Sequence, residues 1–212
     1  MAENAGEPGY LYPIEDCKSV LGEIVDCGSE VGLHGGHFSY NNVNDLKFKK
    51  ERLERVLGKK VIGYRNHLLI FKVPDTWECL HEAGFQYDTT LGYVDCIGFR
   101  NGMCHPYKPF NLHTGNSIDI LEIPLHIMDC TFDLYMRVDL RKAWEYSKRL
   151  IDTVAQYNGV LTLSWHNTYF FGDQRKLYEK ILRYCSEKNA WLTSAEEISK
   201  WTHHHGASEE GS

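Results

Sequence analysis

The chain has 212 residues and a mass of 24.5 kDa, a length that suits one domain or one domain with an appendage. Hydrophobic residues make up 42% and charged residues 25%, the composition of a globular chain and not of a disordered one. Lys and Arg number 23 against 29 Asp and Glu, with no local basic run, so the charge of −6 argues against a nucleic-acid partner.

No apolar stretch approaches the roughly 20 residues of a membrane span, so no membrane partner is expected. The N-terminus lacks the basic-then-apolar order of a secretory signal. The seven cysteines are scattered singly with no CxxC pair, which favours free thiols in a reducing compartment. The expected location is therefore cytoplasmic.

The predicted elements alternate from the start. Residues 14–27 read as a helix with Leu21, Ile24 and Val25 on one side, stopped by Gly28. Glu30 to Leu33 is a short strand ending at His34. Asn44 is the expected cap of a helix from Asp45 to Leu57, and Gly58 ends it. Val61 to Tyr64 is a strand ending at Arg65, Asn66 and His67. A helix follows over Asp75–Ala83, and Phe85 to Tyr87 is a strand with Asp88 at its end. Residues 89–118 hold little periodicity and much Gly, Asn and Pro, which reads as a long loop region. Ile120 to Ile123 returns to strand. Asp139 caps a helix to about Tyr157, stopped by Asn158-Gly159. Val160 to Trp165 is a strand ending at His166, Asp173 to about Lys188 is helical, and Trp191 to Thr193 is a last strand. Ser194 to Glu197 is a capping box for a final helix to Trp201. Core packing is expected for Trp77, Trp144 and Trp191.

This alternation predicts an α/β fold with parallel strands and outer helices, (β/α) barrel-like rather than an open sheet. The expected organisation is a flexible segment over residues 1–13, one domain over 14–201 and a tail over 202–212. No glycine-rich phosphate loop supports dinucleotide binding.

Chemistry gathers at the carboxyl ends of successive strands, the edge where active sites lie in barrels and α/β sheets. His34 comes first, then Arg65 and His67, then Asp88, then His166. His34-Gly35-Gly36-His37 places two imidazoles three residues apart, which converge on a metal if the glycines bend the chain; taken alone, the pattern is equally a polar turn. His166, flanked by Trp165 and Asn167, is a candidate general acid. Arg65 is suited to a carboxylate, and a surface ion pair is the ordinary alternative.

Glu30-Val31-Gly32-Leu33-His34 resembles the second motif of the polysaccharide deacetylase family, the NodB-homology group or carbohydrate esterase family 4. Gly63-Tyr64-Arg65-Asn66-His67 is similar to that family's arginine motif, and Leu161 to Asn167 to its last motif. The resemblance spans about residues 14–201. It implies a hydrolase that removes an acetyl group from an N-acetylated sugar, with a divalent metal, usually zinc, as cofactor and a carbohydrate as substrate. His34 is implied as a metal ligand, with His37 or His67 as the second. His166 is implied as the acid that protonates the departing amine, and Arg65 as the residue that orients a catalytic aspartate. His67, Asp88, Trp165 and Asn167 are carried as substrate-binding residues or alternative ligands.

The family's first motif, Thr-Phe-Asp-Asp, is absent from these 212 residues, and the expectation is a chain that begins after the first β-α-β unit. The open barrel edge so produced calls for an oligomer or a partner chain to cover it. A catalytically silent carbohydrate-binding or scaffold relative of the same fold is the alternative reading.

Overall fold

From Ile14 the chain makes a 3-10 turn to Cys17 and continues as α1 (Lys18–Asp26). The computed structural model describes residues 13–206, so nearly all of the expected N-terminal segment and the last residues of the expected tail fall outside it. The described chain packs as two units that interleave in sequence. The first comprises residues 13–90, 107–122 and 194–206, the second residues 91–106 and 123–193.

The first unit is built on a four-stranded sheet. Between its first two strands, β1 (Leu33–Gly35) and β2 (Gly63–Asn66), lies α2 (Val43–Leu57). Then come α3 (Asp75–Glu82) and β3 (Tyr87–Asp88). The hairpin strands β4 (Phe110–Asn111) and β5 (Asn116–Ser117) precede β6 (Leu121–Glu122). The sheet order is β1-β2-β3-β6, and every pair is parallel. The register sets His34 opposite Arg65, Tyr64 opposite Asp88 and Asp88 opposite Glu122.

Local chemistry explains these boundaries. α2 is entered two residues before the expected cap: Asn42, in an extended conformation, accepts the Asp45 N–H at 3.1 Å, and Asn44 lies inside the helix. Gly58 closes α2 in the left-handed conformation (φ 69°), which costs a glycine little. α2 buries Leu46 and Leu53, and α3 buries Trp77 and Leu80. Part of the predicted loop 89–118 is ordered as the β4–β5 hairpin, in which Phe110 pairs with Ser117.

The second unit contains β7 (Ile127–Met128) and β8 (Leu163–Ser164), parallel, with Ile127 opposite Leu163. A short π-helical turn over Thr131–Tyr135 follows β7. The long helices α4 (Leu140–Gln156) and α5 (Gly172–Glu187) pack on these strands. Asp139 caps α4 as the sequence predicts, accepting the Lys142 N–H at 2.8 Å. Ile127, Phe132, Ala143, Ile151, Leu177, Ile181 and Cys185 form the core, with Trp144 and Trp165 packed against it.

The last predicted strand does not form. Among the described residues, 191–193 pair with no strand, and Trp191 and Leu192 are both more than half exposed, so the core role expected of Trp191 is not realised. Their apolar character reads as strand in sequence, but no neighbouring ladder takes them up. In the first unit α6 (Ala195–Gly206) begins as expected: Ser194 Oγ accepts the Glu197 N–H at 3.2 Å. The helix runs past Trp201, whose ring stacks on His205 at a centroid distance of 4.5 Å. All seven cysteines are free. Among the described residues, no helix is long and apolar enough to cross a membrane.

Candidate active site

In the first unit three imidazoles meet at the sheet edge. His34 stands in β1, and His67 directly follows β2. Their nitrogens, His34 Nε2 and His67 Nδ1, lie 3.3 Å apart. The His37 ring stands 4.7 Å from the His67 ring, edge to face. His67 is thus the residue both other imidazoles touch.

The turn between His34 and His37 has specific requirements. Gly35 has no room for a Cβ, because the Tyr64 hydroxyl and the Asn66 side chain occupy that space. Ser39 Oγ accepts the Gly36 N–H at 2.9 Å and the Lys49 ammonium at 3.0 Å, and it donates to Asp45 at 2.5 Å. Ser39 and Lys49 are buried, and Lys49 also pairs with Asp45 at 2.9 Å. A buried charged network therefore holds the turn that carries His37.

Neutral imidazole nitrogens are ordinary ligands of zinc. At a Zn–N length of about 2.0–2.1 Å, two nitrogens on one tetrahedral ion lie about 3.3–3.4 Å apart. The His34–His67 separation matches that edge, so these two nitrogens fit two ligands of a divalent metal of this kind.

Arg65 stands in β2, directly opposite His34 in the β1–β2 register. Its Nε donates to the carbonyl oxygen of Thr89 at 3.2 Å and to Thr89 Oγ1 at 3.0 Å. Asp88 and Glu122, both fully buried, face one another across the β3–β6 pair and are hydrogen-bonded through their side chains. Thr90 donates its N–H and its hydroxyl to Asp88, at 2.9 and 2.6 Å, and Trp77 Nε1 donates to Glu122 at 2.7 Å. Burial pushes the Asp88 carboxyl up, against the pull of these donors and of the Arg65 charge. Burial likewise lowers Arg65, while Asp88 and Glu122 raise it. The charges of Asp88 and Glu122 act on Arg65, whose Nε is held by Thr89, and Asp88 is enclosed within the buried acidic pair.

In the second unit the sheet edge carries a different constellation. Asp129, fully buried, follows β7, and His166 follows β8 by two residues. Asp129 Oδ1 lies 2.6 Å from His166 Nδ1, and Oδ2 accepts the His166 backbone N–H. The His166 side chain remains 48% exposed. Cys130 is adjacent, its thiol pushed up to about 11 by burial first and by the Asp129 charge second. The Tyr169 ring stands 6.2 Å from the His166 ring. Trp165 turns the other way, packing on Tyr178 at 5.1 Å, and Asn167 is exposed.

The structure thus groups His34, His37 and His67, places Arg65 with Asp88 and Glu122, and gives His166 a carboxylate partner. Neither Asp129 nor Glu122 stands out in sequence. The usable signal for Asp129 is its place directly after the apolar pair Ile127-Met128.

No family model and no curated protein matches the chain. Among solved structures, the chain is similar to a protein from Mycobacterium smegmatis assigned as a polysaccharide deacetylase, with a TM-score of 0.68 and 20% identity over 89% of this chain and 68% of that one. It is also similar to a branching enzyme from Thermococcus kodakaraensis, solved with glucose, at a TM-score of 0.52 and 11% identity over 87% of this chain and 49% of that one. A variant of a carbohydrate esterase family 4 pseudoenzyme with restored activity aligns at a TM-score of 0.46 and 12% identity, over 88% of this chain and 53% of that one. The first likeness shows the fold, which is α/β and (β/α) barrel-like, the fold of polysaccharide deacetylases.

Proposed function

We propose that the chain is a metal-dependent hydrolase that removes an acetyl group from an N-acetylated sugar or polysaccharide, cleaving a non-peptide carbon–nitrogen bond. The observation that carries this reading is the Asp129–His166 pair: an exposed imidazole at a parallel-strand end, oriented by a fully buried carboxylate. It occurs in a fold shared with a protein assigned as a polysaccharide deacetylase.

The role of each group follows from its bonds. With Nδ1 held by Asp129, His166 presents Nε2 as the nitrogen that gives a proton to the departing amine, and the carboxylate stabilises the imidazolium before transfer. His34, with His67 or His37, holds the divalent cation, zinc by its donor chemistry. When bound, that cation supplies Lewis acidity to the acyl oxygen and lowers the pKa of a water. Arg65 keeps the Asp88–Glu122 pair neutralised behind the imidazoles and so steadies β2, the strand that presents His67.

The test is acetate release from N-acetylated sugars by the full chain loaded with zinc, beside His166→Ala. Acetate release that His166→Ala abolishes while the cation stays bound supports the reading. A chain that binds one cation and releases no acetate across monomeric, oligomeric and polymeric N-acetylated sugars is a silent relative.

A further inference from the structure

We infer that Asp129, Cys130 and His166 form a second cation site, specific for a thiophilic divalent ion such as zinc, whose occupation switches off proton donation by His166. The cation site itself stands on the donor atoms. Its effect on turnover rests on the acid role proposed above.

One carboxylate oxygen, one thiol sulfur and one imidazole nitrogen lie within 4.8 Å of one another. Among the described residues these are the His, Cys, Asp and Glu side chains that converge in this way. The convergence is built into the fold. Asp129 and Cys130 leave the end of β7, His166 leaves the end of β8, and the parallel pairing of Ile127 with Leu163 fixes their relative position. Asp129 is held further by the Cys130 N–H at 2.6 Å, and the π-turn that follows is pinned by Thr131 Oγ1 donating to the Val94 carbonyl at 2.8 Å. The fold therefore brings the three donors within reach of a single ion. His166 is half exposed and Cys130 partly so, which leaves a route from solvent.

The donor set selects the ion. A thiolate, an imidazole and a carboxylate together suit zinc and its soft neighbours, and a hard ion such as magnesium gains nothing from sulfur. Three protein ligands leave a fourth position for water. Binding expels the thiol proton to solvent. The imidazole coordinates through a nitrogen without hydrogen: Nε2 is already bare, and coordination at Nδ1 moves the ring proton to Nε2. Coordination through Nε2 occupies the atom that would donate to the leaving amine. Coordination through Nδ1 replaces the proton that Asp129 holds, and the ring then has no imidazolium form to donate from. Either geometry ends general-acid catalysis while the ion is present.

The test is a Co(II) titration of the full, reduced chain followed by its thiolate-to-metal charge-transfer absorption. That band reports sulfur ligation and is blind to the histidines at 203–205 and to the imidazole cluster of the first unit. We expect a band that saturates, survives His34→Ala and is absent from both Cys130→Ser and His166→Ala. No band at saturating Co(II), or a band unchanged in Cys130→Ser, overturns the site. The two variants alter partly exposed side chains, and circular dichroism confirms their folding. Acetate release followed through the same Co(II) titration then reads the consequence: activity falls as the band grows. Activity that does not fall while the band is present overturns the switch. Absence of acetate release at every Co(II) and every zinc level, with the Co(II) band formed, defeats the hydrolase reading and leaves the cation site standing.

Discussion

Asp129 holds His166 at two points, with Oδ1 2.6 Å from the ring Nδ1 and Oδ2 on the backbone N–H of the same residue. The double contact fixes both the position of the imidazole and its tautomer, because a carboxylate accepts only and Nδ1 must carry the hydrogen. Full burial of Asp129 beside a half-exposed His166 directs the ring outward from a rigid base.

Asp129→Asn separates geometry from chemistry. The amide has the same shape but offers one acceptor and one donor group where the carboxylate offers two acceptors. If its oxygen keeps the backbone N–H, its NH2 faces Nδ1 and forces the opposite tautomer. Acetate release should fall about 10²–10⁴-fold, the ordinary worth of a positioned proton donor, while the urea midpoint shifts little. A rate within about threefold of the unsubstituted chain would remove the pair from the reaction, because it lies far below that range.

His126 predicts an acid sensitivity of the second unit. It is only 2% exposed, its Nδ1 accepts the Thr162 N–H at 3.2 Å, and burial pulls its pKa down to about 4. Unfolded, the same ring titrates near 6.5. Above pH 6.5 both states are neutral and the group contributes nothing to the pH dependence. Between pH 6.5 and 4 the unfolded chain takes up a proton that the folded chain refuses, so stability falls as pH falls. The loss attributable to this group approaches about 3 kcal/mol below pH 4, from a shift of roughly 2.5 pH units at about 1.4 kcal/mol each. His126→Leu should flatten the stability curve over that window in urea unfolding. Parallel curves for the two proteins would mean that His126 protonates without unfolding.

Arg65 predicts a stability effect in the first unit. Removing one partner of a buried charge cluster leaves the others uncompensated, at a cost of about 3–5 kcal/mol. Arg65→Met should approach that range, since Asp88 and Glu122 are both fully buried. Asp88→Asn in the same background should recover part of the loss, because the pair then has less charge to neutralise. Arg65→Lys should fall between, because it keeps the charge but loses the Nε donor held by Thr89 at 3.0 Å. Strict additivity of Arg65→Met and Asp88→Asn in a denaturant cycle would show that the two charges are uncoupled.

Local signals in the sequence marked what local chemistry decides. Gly58 and Asp139 bound their helices because a left-handed turn and a side-chain cap act within a few residues. His34, Arg65, His67 and His166 were legible because short apolar runs end at them. Asp129 was not, because Pro124 divides the stretch from Ile120 to Met128, in which Glu122 and His126 already interrupt the apolar residues, and its first half reads as the whole strand. Its partner lies 37 residues away, so nothing nearby in sequence announces the pairing. Glu122 was hidden for a related reason: a charged residue in a strand reads as solvent-facing until its neighbours, Trp77 and Asp88, are known. Asn42 and Asn44 are equally good caps by type, and the entry angle of the chain chooses the first. Trp191 and Leu192 have strand character but no ladder to join, which only tertiary structure decides.

Ser39 offers a way to decide which imidazoles hold the cation. Its hydroxyl is fully buried and satisfied, accepting from Gly36 and Lys49 and donating to Asp45. Ser39→Ala deletes the acceptor for the Gly36 N–H but leaves the Lys49–Asp45 pair at 2.9 Å intact, so no buried charge is stranded. The expected stability cost is about 1–3 kcal/mol, the penalty of an unsatisfied buried donor. The turn that carries His37 is thereby loosened, while His34 in β1 and His67 after β2 keep their strand supports. If His37 is a ligand, zinc affinity measured by calorimetry should drop about 10–100-fold, as for loss of an outer-shell support. If affinity is unchanged while the urea midpoint falls, His34 and His67 hold the ion without His37. The 3.3 Å separation of their nitrogens is then the edge on which the centre is built.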